Sequence, residues 1–74
     1  MVADPRIGRS RILEHLNRIG INQAEYARRI GVSENFVSNV IRGKKKLSLV
    51  KSKRSADLFG CHIDDLCYWE YDSE

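Results

Sequence analysis

Apolar residues along this chain recur mostly at helical spacing. Ile12, Leu13, Leu16 and Ile19 form a stripe that stops at Gly20, a residue suited to the left-handed turn that closes a helix. Upstream, Pro5 sits where a first helical turn tolerates it, and Asp4 can cap. A first helix is therefore predicted over residues 5–19, frayed at its start because Gly8 lowers helix propensity. The next start signal is more complete: Asn22 can cap, Glu25 can reach back, and Ile21 can staple onto Tyr26. This second helix is predicted over 23–30, stopping at Gly31. The pattern repeats with Ser33 as cap and Val37 as stapling partner, giving a third helix over 34–42 before Gly43. Ser48 opens a fourth, over 48–59, closed by Gly60. Its stripe of Leu49, Ala56 and Phe59 is interrupted by Ser52 and Lys53. His62 then caps a fifth over 63–69, with Asp64 and Asp65 in the first turn, where the helix dipole favours acids. No strand is predicted, and residues 70–74 are read as an acidic, mobile tail after one domain over 1–69.

Helices of about eight residues do not stand alone in water, so the second and third must pack on each other. Ala27 lies mid-helix on the face that meets the third helix, where a small side chain lets backbones cross closely. Gly31 fits a left-handed position that other residues resist. Tyr26, Ile30, Val32, Val37 and Val40 fall where such a corner buries apolar surface. The fold class read from the pattern is all-α.

Charge changes the picture more than the net value of +3 implies. Residues 1–54 hold all 13 Lys and Arg against four acids, and residues 55–74 hold six acids and no base. A chain polarised in this way offers one basic face to a polyanion and keeps an acidic end away from it. No apolar run approaches the ~20 residues of a membrane span, and no signal-peptide pattern opens the chain, so a cytoplasmic protein with no membrane contact is expected. Cys61 and Cys67 suit free thiols in a reducing compartment. A zinc site would need two further ligands, and only His62 is adjacent, so no metal and no cofactor is expected. Paired carboxylates, a Ser/His/Asp arrangement and a Gly-rich phosphate loop are all missing from the pattern, which argues against an enzyme.

The run Asn22-Gln23-Ala24-Glu25-Tyr26-Ala27-Arg28-Arg29-Ile30-Gly31-Val32-Ser33, continued by Val37, Val40, Arg42 and Gly43, resembles the helix-turn-helix of the Cro and phage-repressor family. The likeness extends over about residues 7–69 and implies a compact five-helix, lambda-repressor-like domain. It implies that Gln23, beside Asn22 at the start of the second helix, holds a DNA phosphate. It further implies that the third helix presents Glu34, Asn35, Ser38 and Asn39 to base edges, with Phe36 and Arg42 at the margins. The chemistry of these side chains suits that role. Asn bonds bidentately to adenine, Glu accepts from the cytosine amino group, and a Phe edge meets a thymine methyl. With no Arg in the first two turns, the set leans towards an A·T-rich site. Lys44, Lys45 and Lys46, with Arg42, follow where the family contacts the backbone; Arg9, Arg11, Arg28 and Arg29 rank second.

Two departures stand out. Where some relatives pair a base on helix one with an acid at the end of the recognition helix, this chain has Leu16 and Ile41. Where relatives carry aliphatics on helix four, it has Lys53 and Ser55, which predicts loose packing there or contact with another chain. The function implied is a sequence-specific repressor of phage, prophage or mobile-element type. It would bind double-stranded DNA as a homodimer, with Leu66, Tyr68, Trp69 and Tyr71 as candidate dimer contacts and no small-molecule effector. The competing reading is a protein-binding module, such as an antitoxin or antirepressor, that uses the acidic, aromatic C-terminal end.

Overall fold

The computed structural model describes residues 4–71. The chain runs β1 (Pro5–Ser10), α1 (Ile12–Ile19), α2 (Gln23–Ile30), α3 (Glu34–Ile41), α4 (Leu49–Phe59), a single 3₁₀ turn (Ile63–Leu66) and β2 (Cys67–Tyr71). Four α-helices and a two-stranded antiparallel sheet thus replace the five helices predicted from periodicity. No helix among the described residues is long and apolar enough to cross a membrane.

Both corrections fall at the ends of the chain. The segment expected as the first half of helix one is strand β1, and Asp4 precedes a strand instead of capping a helix. The expected fifth helix is one 3₁₀ turn, after which the chain extends. Pro5 pairs with Tyr71, Arg6 with Glu70, Ile7 with Trp69 and Ser10 with Cys67, with one extra residue bulged out on β1 between Ile7 and Ser10. Tyr68, Trp69 and Tyr71 favour a pleated strand over a helix. Gly8 is required by close approach: a Cβ there would stand 2.7 Å from the Tyr68 carbonyl oxygen. Glu70 and Tyr71, expected in a mobile tail, lie in β2; residues 72–74 fall outside the described residues.

The helices start and stop where the capping residues direct. The side chains of Asn22, Ser33 and Ser48 accept from the backbone N–H of Glu25, Phe36 and Lys51. Gly20, Gly31 and Gly60 close α1, α2 and α4 in the left-handed region. At the 3₁₀ turn it is the Asp65 carboxylate that accepts from the His62 N–H, at 3.1 Å.

The core gathers Ile12 and Leu16 from α1, Tyr26, Ala27 and Ile30 from α2, Val37 and Val40 from α3, Phe59 from α4, and Leu66. Phe59 stacks on both His15 (5.0 Å) and Tyr26 (5.3 Å). Leu16 is buried and Ile41 half-buried against the same cluster, so both of these apolar side chains serve the core. Buried His15 ties three elements together. Its Nδ1 accepts from Arg18 at 3.1 Å, so its Nε2–H donates to the Asp65 carbonyl at 2.7 Å, while Arg18 also donates to the Phe59 carbonyl at 2.7 Å.

Helix α4 corrects a second expectation. Its buried face is Ser55, Ala56 and Phe59, while Leu49 is 75% exposed and not part of the stripe. Lys53 points outward to Asp57 at 3.0 Å, so no lysine is buried among the described residues. Ser55 is fully buried and satisfied, donating to the Lys51 carbonyl (2.9 Å) and meeting the Tyr26 hydroxyl (2.6 Å). The helix is docked in the core, not loosely attached. Cys61 and Cys67 are free thiols, both half-buried, and burial pushes each of them up from the ordinary thiol value.

Candidate nucleic-acid interface

The corner between α2 and α3 is built from the backbone outward. Gly31 takes φ 79°, reversing the chain after one turn of capping bonds from Gly31 and Val32 to the Ala27 carbonyl. A Cβ at Gly31 would meet only the tips of Lys51 and Arg54, at 3.3 and 3.7 Å, so glycine serves the dihedral and not a lack of space. Ala27, 3% exposed, lies where the helices cross. Val37 and Val40 turn inward, which by helical geometry sends Asn35, Ser38 and Asn39 away from the core, while Glu34 flanks the inward face in the first turn and is exposed.

Those four residues are presented unequally. Glu34 and Asn35 are exposed, Ser38 and Asn39 half-buried. The Ser38 hydroxyl donates to the Gln23 side-chain oxygen at 3.2 Å, a bond that locks the start of α2 to the middle of α3. With its oxygen so engaged, the Gln23 amide is oriented with its NH₂ as the donor end, the chemistry a phosphate requires. Phe36 is half-buried and packs partly against the core, so its outer edge is what remains for a partner. Asn22 uses its side-chain oxygen to cap α2 at 2.8 Å, leaving its amide NH₂ as donor.

Arg42 closes α3, and Arg42, Lys44, Lys45 and Lys46 are all exposed. The second-ranked bases are more committed. Glu25 holds both Arg28 and Arg29, the latter at 2.6 Å. Arg9 and Arg11 each lie 5.0 Å from the Tyr68 ring centre, and Arg11 pairs with Glu14 at 3.3 Å. The Tyr68 hydroxyl donates to Glu14 at 2.8 Å and, with Arg11 and Arg9, lowers its carboxyl from the ordinary value against a smaller opposing effect of burial.

A family model described as helix-turn-helix matches residues 12–66. The chain belongs to the Cro/C1-type helix-turn-helix family. It is accordingly a DNA-binding protein of the transcription-regulator class. No curated protein matches it in sequence. Among solved structures it is similar to the restriction-modification controller protein C.AhdI from Aeromonas hydrophila. That match has 27% identity and TM-score 0.68, over 76% of this chain and 85% of that one. It is similar in fold to the hypothetical transcription factor NHTF from Neisseria, at 24% identity and TM-score 0.67, over 77% of this chain and 66% of that one.

Within this helix-turn-helix domain two features escaped sequence reasoning. Lys51 and Arg54 bring positive charge from α4 to the Gly31 turn. Their i, i+3 spacing shows a shared face, but only the docking of α4 reveals what that face meets. Leu66, expected at a dimer surface, is 7% exposed and belongs to the monomer core, because the 3₁₀ turn rotates it inward. Tyr68, Trp69 and Tyr71 remain exposed, on a strand instead of a helix.

Proposed function

We propose that the protein is a sequence-specific transcriptional repressor that lays α3 in the major groove of double-stranded DNA. Asn35 and Asn39 read bases, assisted by Glu34, Ser38 and the edge of Phe36. Asn22, Gln23, Arg42, Lys44, Lys45 and Lys46 hold phosphates. The observation that carries this reading is the outward face of α3: Asn35 is exposed, on a helix whose opposite face is fixed by Val37 and Val40. Two base-reading helices are needed to match two half-sites one helical turn apart, so the repressor acts as a homodimer in the cytoplasm. The likeness to a restriction-modification controller protein supports a regulatory role, and the repressor type proposed is that of a phage, prophage or mobile element.

The test is selection of bound duplexes from a random pool, followed by titration of the selected site against salt. Enrichment of one palindromic, A·T-leaning site is expected. Affinity should fall with a log–log slope of about 0.9 per phosphate neutralised. No enrichment, with no salt-sensitive binding at about 50 mM salt, would refute the reading and favour the protein-binding alternative.

A further inference from the structure

Between the two-stranded sheet and the loop after α3 opens a cleft of about 670 Å³. That volume lies within the ~300–1,000 Å³ of small-molecule sites. Ile12, Val40 and Leu66 bring the edge of the core to it, and Leu47, Ile63 and Trp69 complete an apolar lining. The Trp69 ring is fixed there, because its indole N–H donates to the Asp64 carbonyl at 2.8 Å. The charged lining has one sign. Lys45 and Lys46 border the cleft, are exposed, and take part in no ion pair among the described residues. Arg6 borders it too but stands opposite Glu70 in the sheet, so the charge open to a ligand is that of the two lysines. No acid lines the cleft among the described residues. The cleft exists only because β1 and β2 pair across the ends of the chain, which is why the sequence pattern held no sign of a small-molecule effector.

We propose that this cleft binds an amphipathic organic anion, a free carboxylate with an apolar body, and that its occupation weakens DNA binding. The apolar body covers the lining beside Trp69, and the carboxylate accepts from the ammonium groups of Lys45 and Lys46, which can only donate. An uncharged molecule of the same shape gains the lining without those charge-assisted bonds, and a cation meets like charge. The regulatory half rests on the reading that Lys45 and Lys46 hold phosphates. A carboxylate seated on them removes two phosphate contacts, and by linkage DNA lowers the affinity for the anion by the same factor.

The probe is decanoate, followed by the emission of Trp69, the one tryptophan of the chain; 1-decanol and decyltrimethylammonium are the uncharged and cationic comparisons. Decanoate should change the emission saturably, with a dissociation constant below about 1 mM. It should bind at least about 10-fold more tightly than 1-decanol. Lys45→Gln with Lys46→Gln should remove that preference. Ser52→Phe fills the cleft from α4, at a half-buried position outside both the core and the phosphate-holding set. It should abolish the response with an unchanged helical circular dichroism spectrum. Saturating decanoate should weaken wild-type binding to the selected duplex at least about 10-fold near 0.1 M salt, the loss expected from two phosphate contacts, and leave Ser52→Phe binding unaltered. No saturable emission change, an equal response to 1-decanol, or a Ser52→Phe variant that still responds overturns the cleft as the site. Binding to phosphatidylglycerol vesicles without binding of free decanoate does the same, since it makes the patch a lipid surface. Decanoate bound with undiminished DNA affinity overturns the regulatory half. If decanoate binds and no duplex is ever selected, the DNA reading fails and the cleft stands; a chain that selects a duplex and ignores decanoate is the reverse.

Discussion

Ser55 and Tyr26 form the most quantifiable contact in the domain. Both side chains are fully buried, and the serine hydroxyl has one hydrogen, which it gives to the Lys51 carbonyl. The phenol must then donate to Ser55 across 2.6 Å. Ser55→Ala strands that donor away from water, at a cost of about 1–3 kcal/mol. Tyr26→Phe removes the donor but leaves Ser55 bonded to Lys51, at a cost of about 0.5–1.5 kcal/mol. Removing both polar partners together should cost clearly less than the two single changes added, with a coupling of at least about 0.5 kcal/mol. In a domain of this size 1 kcal/mol moves Tm by about 4–8 °C, so Ser55→Ala should melt at least about 4 °C lower. Thermal and urea unfolding of the four proteins, followed by circular dichroism, completes the cycle. Strictly additive costs, or a Ser55→Ala variant as stable as wild type, would refute the assigned hydrogen-bond direction and the role of Ser55 in docking α4.

Other outcomes follow from the same geometry. Burial raises the Tyr26 phenol above its ordinary value, with the Ser55 bond opposing it. The unfolded chain therefore gives up that proton first, and stability should decline as pH rises past about 10; the decline should shrink in Tyr26→Phe. The lowered Glu14 carboxyl acts in the opposite sense, contributing stability above the ordinary carboxylate value of about 4.3 that is lost on acidification below it. Tyr68→Phe should flatten that acid limb in a pH-dependent denaturation series. Gly31→Ala forces a Cβ into φ 79° and should destabilise by about 1–2 kcal/mol, read in urea. Replacing Lys44, Lys45 and Lys46 together by Ala should lower the salt slope of DNA binding by about 0.9 for each phosphate left unneutralised, with sequence preference retained.

The helix-turn-helix is legible in the sequence because its signals are local. Asn22, Ser33 and Ser48 cap within three residues, Gly31 marks its own turn, and Val37 with Val40 fixes which side of α3 faces out. The sheet is not legible, because β1 and β2 pair across opposite ends of the chain and each is too short to declare a period alone. Gly8 has the look of a helix weakness and is a close-approach position at a bulge. Tyr68 and Trp69 fall inside the span read as a fifth helix and Tyr71 inside the span read as a tail, although their residue types favour strand. Ser55 resembles a packing fault in the sequence because its partner, Tyr26, lies 29 positions away.

The most direct measurement of how α3 works is the ratio of affinities for the selected duplex and a scrambled one, compared between wild type and Asn35→Ala with Asn39→Ala. If both asparagines read bases, the ratio should fall at least about 30-fold, two bidentate contacts at the low end of their usual worth. Affinity for the scrambled duplex should barely move. An equal loss on both duplexes, or an undiminished ratio, would contradict the base-reading role of α3.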